Sequence, residues 1–327
     1  MIIRKIKRFI LKIKGLNKSI IPGGLRFWVA LSSCIFLGLT IYNNTENIRD
    51  IDFLALNYWL LFLALFLSFS SLFVNAFAWK ILVQWLVPSS SRLYLINLYL
   101  SSNILKYLPG GIWHFIDRLR YLLKYIRKDM AFRAVLFEPI LMVSAALLLL
   151  PLGGWQSGIS LLSFTPIVLL FKPISKKLLS MQQLSKLRQL KKIDNDLSLD
   201  GDGGNLEENI KSYPVKAFIV EIIFILIKFS GLWFCFNSFI TLSNQVLFEF
   251  LSAFCLAWSV GLVVPGAPGG LGVFESLFLI KIGNLVPEGI LISSLLVYRF
   301  IVTLADLLAA FYAYFTKSVY KRNSLID

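Results

Sequence analysis

The chain is 327 residues long, 57% hydrophobic and only 16% charged, with a formal net charge of +15 and a mean hydropathy of +0.74. A soluble domain carries about a quarter charged residues, whereas the apolar residues here fall in blocks long enough to span a bilayer, which excludes an ordinary soluble protein. Lys and Arg gather beside those blocks instead of forming a separate basic domain, so anionic membrane surfaces are the expected partner and nucleic acid is not.

Residues 1–26 hold eight Lys/Arg and no acid, and read as a basic cytoplasmic segment. Within it, Ile2–Lys14 alternates basic and apolar residues and suits the face of a bilayer. No small-residue cleavage site follows the apolar run Phe27–Tyr42, so a retained first span is expected. Spans are predicted over 25–42, 57–80, 130–150, 157–171, 216–240, 246–264, 270–286 and 288–316. The predicted fold is an all-α polytopic membrane protein with these eight transmembrane helices. The apolar run 93–108 is too short to span and reads as re-entrant.

Charge orients the chain. Segment 43–56 sets Glu46, Asp50 and Asp52 against Arg49 and suits the outside. Segment 106–133, with Lys106, Arg118, Arg120, Lys124, Arg127, Lys128 and Arg133, suits the cytoplasm, as do 172–215 and the tail 317–327. Both termini are then cytoplasmic. The hydrophilic insertion 172–215 separates an N-terminal membrane half, 27–171, from a C-terminal half, 216–316. Its part Lys172–Lys192 is basic and its part Ile193–Ile210 is acidic and Gly-rich, the composition of a solvated linker. Cys34, Cys235 and Cys255 lie in apolar stretches without paired spacing and read as buried small hydrophobes.

Two Pro-Gly-Gly breaks sit inside apolar sequence, one in each half. The first is Pro109-Gly110-Gly111, the second Pro268-Gly269-Gly270, continuing Leu271-Gly272-Val273-Phe274-Glu275. Pro removes a backbone donor and Gly tolerates unusual dihedrals, so each break interrupts a helix. At membrane depth such backbone persists only against protein or a water-filled cavity, and paired interruptions in corresponding halves point to a transporter's binding site. A third copy, Pro22-Gly23-Gly24, precedes the first span and reads as an interfacial turn. The first break leads into an amphipathic helix over Ile112–Lys128, whose predicted polar face carries His114, Asp117/Arg118, Tyr121, Lys124 and Lys128. That face suits either gathering anionic headgroups or plain interfacial anchoring.

Glu275 is the sharpest single candidate, because an acid within apolar sequence is costly unless paired or facing water. In the last span Arg299 and Asp306 are seven residues apart, nearly on one face and about 10 Å apart along the axis. Arg299 suits pairing with Glu275 or with a substrate phosphate through its planar donor fork. Purely structural pairing weighs evenly against substrate recognition. Glu138, Glu221, Lys228 and Glu249 also fall inside predicted spans, where each reads as a packed or interfacial residue more readily than as a ligand. His114 is the only histidine; it reads as interfacial, and neither a metal site nor a Ser/His/Asp arrangement is expected. No cofactor is expected.

The string Pro265-Gly266-Ala267-Pro268-Gly269-Gly270-Leu271-Gly272-Val273-Phe274-Glu275, with Tyr298-Arg299-Phe300 in the last span, resembles the lysylphosphatidylglycerol synthase/flippase transmembrane family. Lys106-Tyr107-Leu108-Pro109-Gly110-Gly111, the basic helix after it and Glu138 resemble the same family's N-terminal motif, although Ile112-Trp113-His114-Phe115 departs from the usual continuation. The resemblance runs from about Leu25 to Lys317. It implies a bacterial-type inner-membrane protein with two broken or re-entrant elements and a lipid-translocation role. Family members that make the aminoacylated lipid carry a further transferase domain; none follows the last span here, so that synthesis is not expected.

The resulting expectation is a flippase-like protein for an anionic phospholipid or lipid-linked headgroup, working beside a lipid- or glycan-modifying enzyme. Glu275 and Arg299 would form the cavity's polar pair, with Asp306 as a supporting charge. Gly110, Gly111, Gly269, Gly270 and Gly272 would supply the breaks, and Arg118 would serve the entrance. The sequence has no Gly-x-x-x-x-Gly-Lys-Ser/Thr run, so movement would be passive or coupled to an ion or the membrane potential. The alternatives are an enzyme or enzyme subunit acting on polyprenyl-phosphate-linked sugars, and a non-transporting scaffold.

Overall fold

The computed structural model describes residues 56–92, 94–108, 111–154, 161, 163, 213–263 and 272–323. The N-terminal segment, the predicted spans 25–42 and 157–171, and nearly all of the linker 172–215 lie outside these residues, as do Pro109, Gly110, Pro268, Gly269 and Gly270. The described residues are helical throughout: α1 Tyr58–Leu86, α2 Leu95–Asn103, α3 Trp113–Leu122, α4 Lys128–Leu149, α5 Val215–Phe239, α6 Leu247–Val263, α7 Val273–Ile282 and α8 Glu288–Asn323. Short 3-10 turns lead into α2 and α6 and close α2 and α4.

Five stretches are long and apolar enough to cross a membrane: Tyr58–Leu86, Lys128–Gly153, Val215–Phe239, Asn244–Val263 and Glu288–Thr316. They match the predicted spans at 57–80, 130–150, 216–240, 246–264 and 288–316. The predicted span 270–286 does not form as one. Its helix α7 has ten residues, about 15 Å, half of what a bilayer core requires. Glycine explains the shortening: Gly272 has φ +83° and sets the helix start, and a turn at Gly283 ends it.

Helix ends follow local chemistry. The Asn57 side chain accepts from the Leu60 N–H at 3.4 Å to cap α1, and α1 stops at extended Val87 before Pro88. Large apolar residues on α1 (Trp59, Phe62, Phe66) and on α8 (Phe300, Phe311, Phe315) are exposed at helical spacing, as lipid-facing stripes are. The opposite faces form two cores. One joins α5, α6, α7, the end of α4 and the start of α8 around Phe236, Phe250, Phe254 and Phe278. The other joins α1, α2, α3, the start of α4 and the end of α8 around Trp79, Tyr99, Leu119 and Leu122.

Order and packing reveal a repeat. α1–α4 and α5–α8 run through the same sequence: a long helix, a 3-10 turn, a helix, a glycine break, a ten-residue helix, a five-residue turn and a long helix. The central pair α1 and α5 is antiparallel, since the Asn57 N–H donates to the Ser238 carbonyl at 3.3 Å. It is also close-packed: a Cβ on Gly231 would lie 2.9 Å from Ser68 Oγ. Around this pair, α4 lies on α5 and α6 just as α8 lies on α1 and α2. The end of α8 meets the start of α2 at Thr316 and Asn97, and the end of α4 meets the start of α6 at Gly153 and Ser252. Such reciprocal packing about an antiparallel pair is that of an inverted repeat.

Candidate functional site

The second break is built on Glu275. Gly272, in the left-handed region, opens α7 and turns its N–H to Glu275 Oε2 at 2.7 Å, while Ser276 Oγ donates to the Gly272 carbonyl at 2.7 Å. The acid thus stands three residues into the helix, where it satisfies a backbone donor and meets the positive end of the dipole. Its Oε1 accepts a charge-assisted bond from Arg299 Nε, and the Arg299 guanidinium sits over the Phe274 ring at 4.9 Å. The structure brings together the Glu275–Arg299 pair anticipated from the sequence.

Asp306 does not stand behind that pair. Two turns further along α8, it reaches across to the first half and accepts from Asn103 Nδ2 at 2.8 Å, Tyr107 Oη at 2.6 Å and Lys106 Nζ at 2.7 Å. Its side chain is fully buried, so three donors replace the water it gives up. Thr303, between the two charges, donates to the Arg299 carbonyl and lies 3.4 Å from Tyr107 Oη. One face of α8 therefore strings the second break to the segment just ahead of Pro109. Sequence reading missed the donors, although Asn103, Lys106 and Tyr107 follow the i, i+3, i+4 spacing of one helical face.

Lys228 of α5 lies beside this row, where its carbonyl accepts from Tyr298 Oη at 3.2 Å. It is buried, its Nζ lies 5.9 Å from the Phe224 ring centroid, and it is within electrostatic reach of Lys106, Asp306 and Arg299. Lys106, Lys228 and Arg299 outnumber Glu275 and Asp306, which leaves one excess positive charge. Accessibility is divided in the same sense: the Lys106 and Arg299 side chains are 22% and 21% exposed, against 0% for Asp306 and 9% for Glu275. The acids face protein, and Lys106 and Arg299 face the accessible side.

At the first break Gly111 has φ +61°, as a turn into α3 requires, but the helix and its polar face differ from expectation. It runs only from Trp113 to Leu122, and Arg118 points inward with 0% exposure. Arg118 Nη1 donates to both Glu138 oxygens, at 2.6 and 2.8 Å, and Nε donates to Ser102 Oγ at 2.9 Å. The guanidinium also lies on the Tyr99 ring, 3.6 Å from its centroid. The packing of α3 on α2 and α4 turns this face inward, and Glu138 supplies the counter-charge that lets a guanidinium stay there. His114, one turn earlier, is buried in the protein, its ring against Phe115 with centroids 3.9 Å apart.

The repeat extends to chemistry, with the charges exchanged. In each half the short helix after the break is tied to the long helix after it: Arg118 to Glu138, Glu275 to Arg299. The family model for the lysylphosphatidylglycerol synthase transmembrane region matches residues 29–310, most of the chain. No curated protein matches.

Proposed function

The chain belongs to the lysylphosphatidylglycerol synthase transmembrane-region family, and from that premise we propose that it passes the headgroup of an anionic phospholipid or lipid-linked molecule across the inner membrane. It is a multi-pass membrane protein. The observation that carries the proposal is the row Lys106–Asp306–Arg299–Glu275, with Lys228 buried beside it, which runs from the segment ahead of the first break to the helix after the second and presents Lys106 and Arg299 on the accessible side. A headgroup phosphate would move from Lys106 to Arg299 by exchanging with carboxylates already paired to them, while the acyl chains stay in lipid. Charged groups at membrane depth mark such routes. In an inverted repeat the first break opens to one side and the second to the other; the cationic segment 106–133 suits a first break that faces the cytoplasm. A lipid- or glycan-modifying enzyme would supply or use the lipid.

The test is headgroup exchange in vesicles of phosphatidylglycerol and phosphatidylethanolamine, comparing wild type with Glu275→Gln, Arg299→Ala and Lys228→Met. Each variant is expected to slow exchange. Equal rates in all four proteins, or none above empty vesicles, would sink the translocation reading and leave the scaffold or the enzyme subunit on polyprenyl-phosphate sugars.

A further inference from the structure

Glu221 is a buried acid that the headgroup row does not use. It lies on α5, seven residues before Lys228 and so about 10 Å away along nearly the same face. It is 1% exposed, and its Oε2 has no hydrogen-bond partner among the described residues. The charged groups acting on it are Glu138 and Arg118, and the Tyr99 hydroxyl is within reach. Of the elements packed on α5, α4 presents Glu138, with Arg118 of α3 and Tyr99 of α2 beyond it, and α1, α6 and α8 bring no further charge to it among the described residues. Arg118 Nη2 is likewise buried without an acceptor.

Two buried carboxylates thus stand within electrostatic reach of one guanidinium, which is bonded to Glu138 alone. With all three ionised the site carries a net negative charge, which costs several kcal/mol at membrane depth. A proton removes that charge. A metal cation does not fit: it seeks about six oxygens, whereas here the Glu138 oxygens are taken by Arg118, whose own charge would repel it.

We propose that Glu221 is a proton-binding site, and that the proton on it decides which carboxylate holds Arg118. With Glu221 protonated, Arg118 stays on both Glu138 oxygens, the arrangement seen. When the proton leaves Glu221 for bulk water, the carboxylate accepts from the idle Arg118 Nη2, and the two Arg118–Glu138 bonds break. No other bond forms or breaks. Arg118 also holds Ser102 of α2, so its grip spans both arms of the first break. Proton binding thereby acts on the backbone beside Lys106 and, on the translocation reading, would couple movement to a proton.

Infrared difference spectroscopy of the purified protein in phosphatidylglycerol vesicles tests this without requiring any lipid movement, so it can fail independently of the translocation reading. The wild type should show the carbonyl stretch of a protonated carboxyl at neutral pH, shifted in deuterium oxide and lost on alkalinisation. Glu221→Gln should remove that band. Glu138→Gln should remove it too, because Arg118 then has only Glu221 as counter-charge and Glu221 ionises. Should Glu138→Gln fail to fold, the wild-type titration and Glu221→Gln still decide. A wild type without the band at neutral pH, a band that survives either substitution in folded protein, or a band displaced by sodium at constant pH overturns the proposal.

Discussion

Asp306 shows how much one buried acid can organise. Its three donors come from the last turn of α2 and the 3-10 turn after it, so a single carboxylate fixes the backbone leading into Pro109. Removing one partner of a buried pair strands the other at a cost of about 3–5 kcal/mol. Here Lys106 is partly exposed and so not sealed as a buried partner is, so Asp306→Asn is expected to fall below that range. Restoring balance with Lys106→Met in the same protein should recover part of the loss. Apparent melting temperatures in detergent measure both; a double variant no more stable than Asp306→Asn would mean that the pair is not what holds the segment. Glu275 differs in kind, since it serves a backbone N–H and a guanidinium together. Its position after three glycines was legible in the sequence because apolar surroundings make an acid conspicuous. The partners of Asp306 were not, since they lie about 200 residues away and only the fold brings them to α8.

Among the elements, α3 and α7 are the ten-residue helices that follow the breaks, each fastened to the following long helix by one charge pair, yet the pairs differ in setting. Arg118–Glu138 is sealed, whereas Arg299 is 21% exposed and its acid keeps a backbone donor when the arginine is lost. Arg118→Met should therefore destabilise by about 3–5 kcal/mol. Arg299→Met should cost nearer the about 1.5–3 kcal/mol of a charged hydrogen bond. Thermal unfolding of the two variants side by side gives the comparison, and equal losses would contradict the difference in burial. The long spans α1, α4, α5, α6 and α8 were readable from apolar length alone. The ten-residue α7 was not, because its turn at Gly283 lies in sequence as apolar as a span. The inward turn of Arg118 was missed for a related reason: a cation among polar neighbours reads as solvated until its counter-charge, twenty residues on, is packed against it.

At the scale of the whole molecule, the exchanged packing of α4 and α8 rules out one kind of motion. Each long helix after a break lies on the opposite repeat, α4 on α5 and α6, α8 on α1 and α2, so the repeats are interlocked and cannot rock apart as rigid halves. Ala305, Ala309 and Ala313 let α8 approach closely, and Asp306, with Thr316 bonded to Asn97 at 3.0 Å, fastens it to α2. The frame is then α1, α2, α4, α5, α6 and α8, and the parts left to move are α3 and α7 with their glycine starts. This division can be tested at the point where α2 and α8 touch. With Cys34 changed to serine and Cys235 and Cys255 buried, cysteines in place of Asn97 and Thr316 can be joined by a short thiol cross-linker. Cross-linking a static contact should leave headgroup exchange unchanged and raise thermal stability. Exchange abolished by the cross-linker in protein of normal stability would show that α2 slides on α8, and would move the hinge from the short helices to the interface between the repeats.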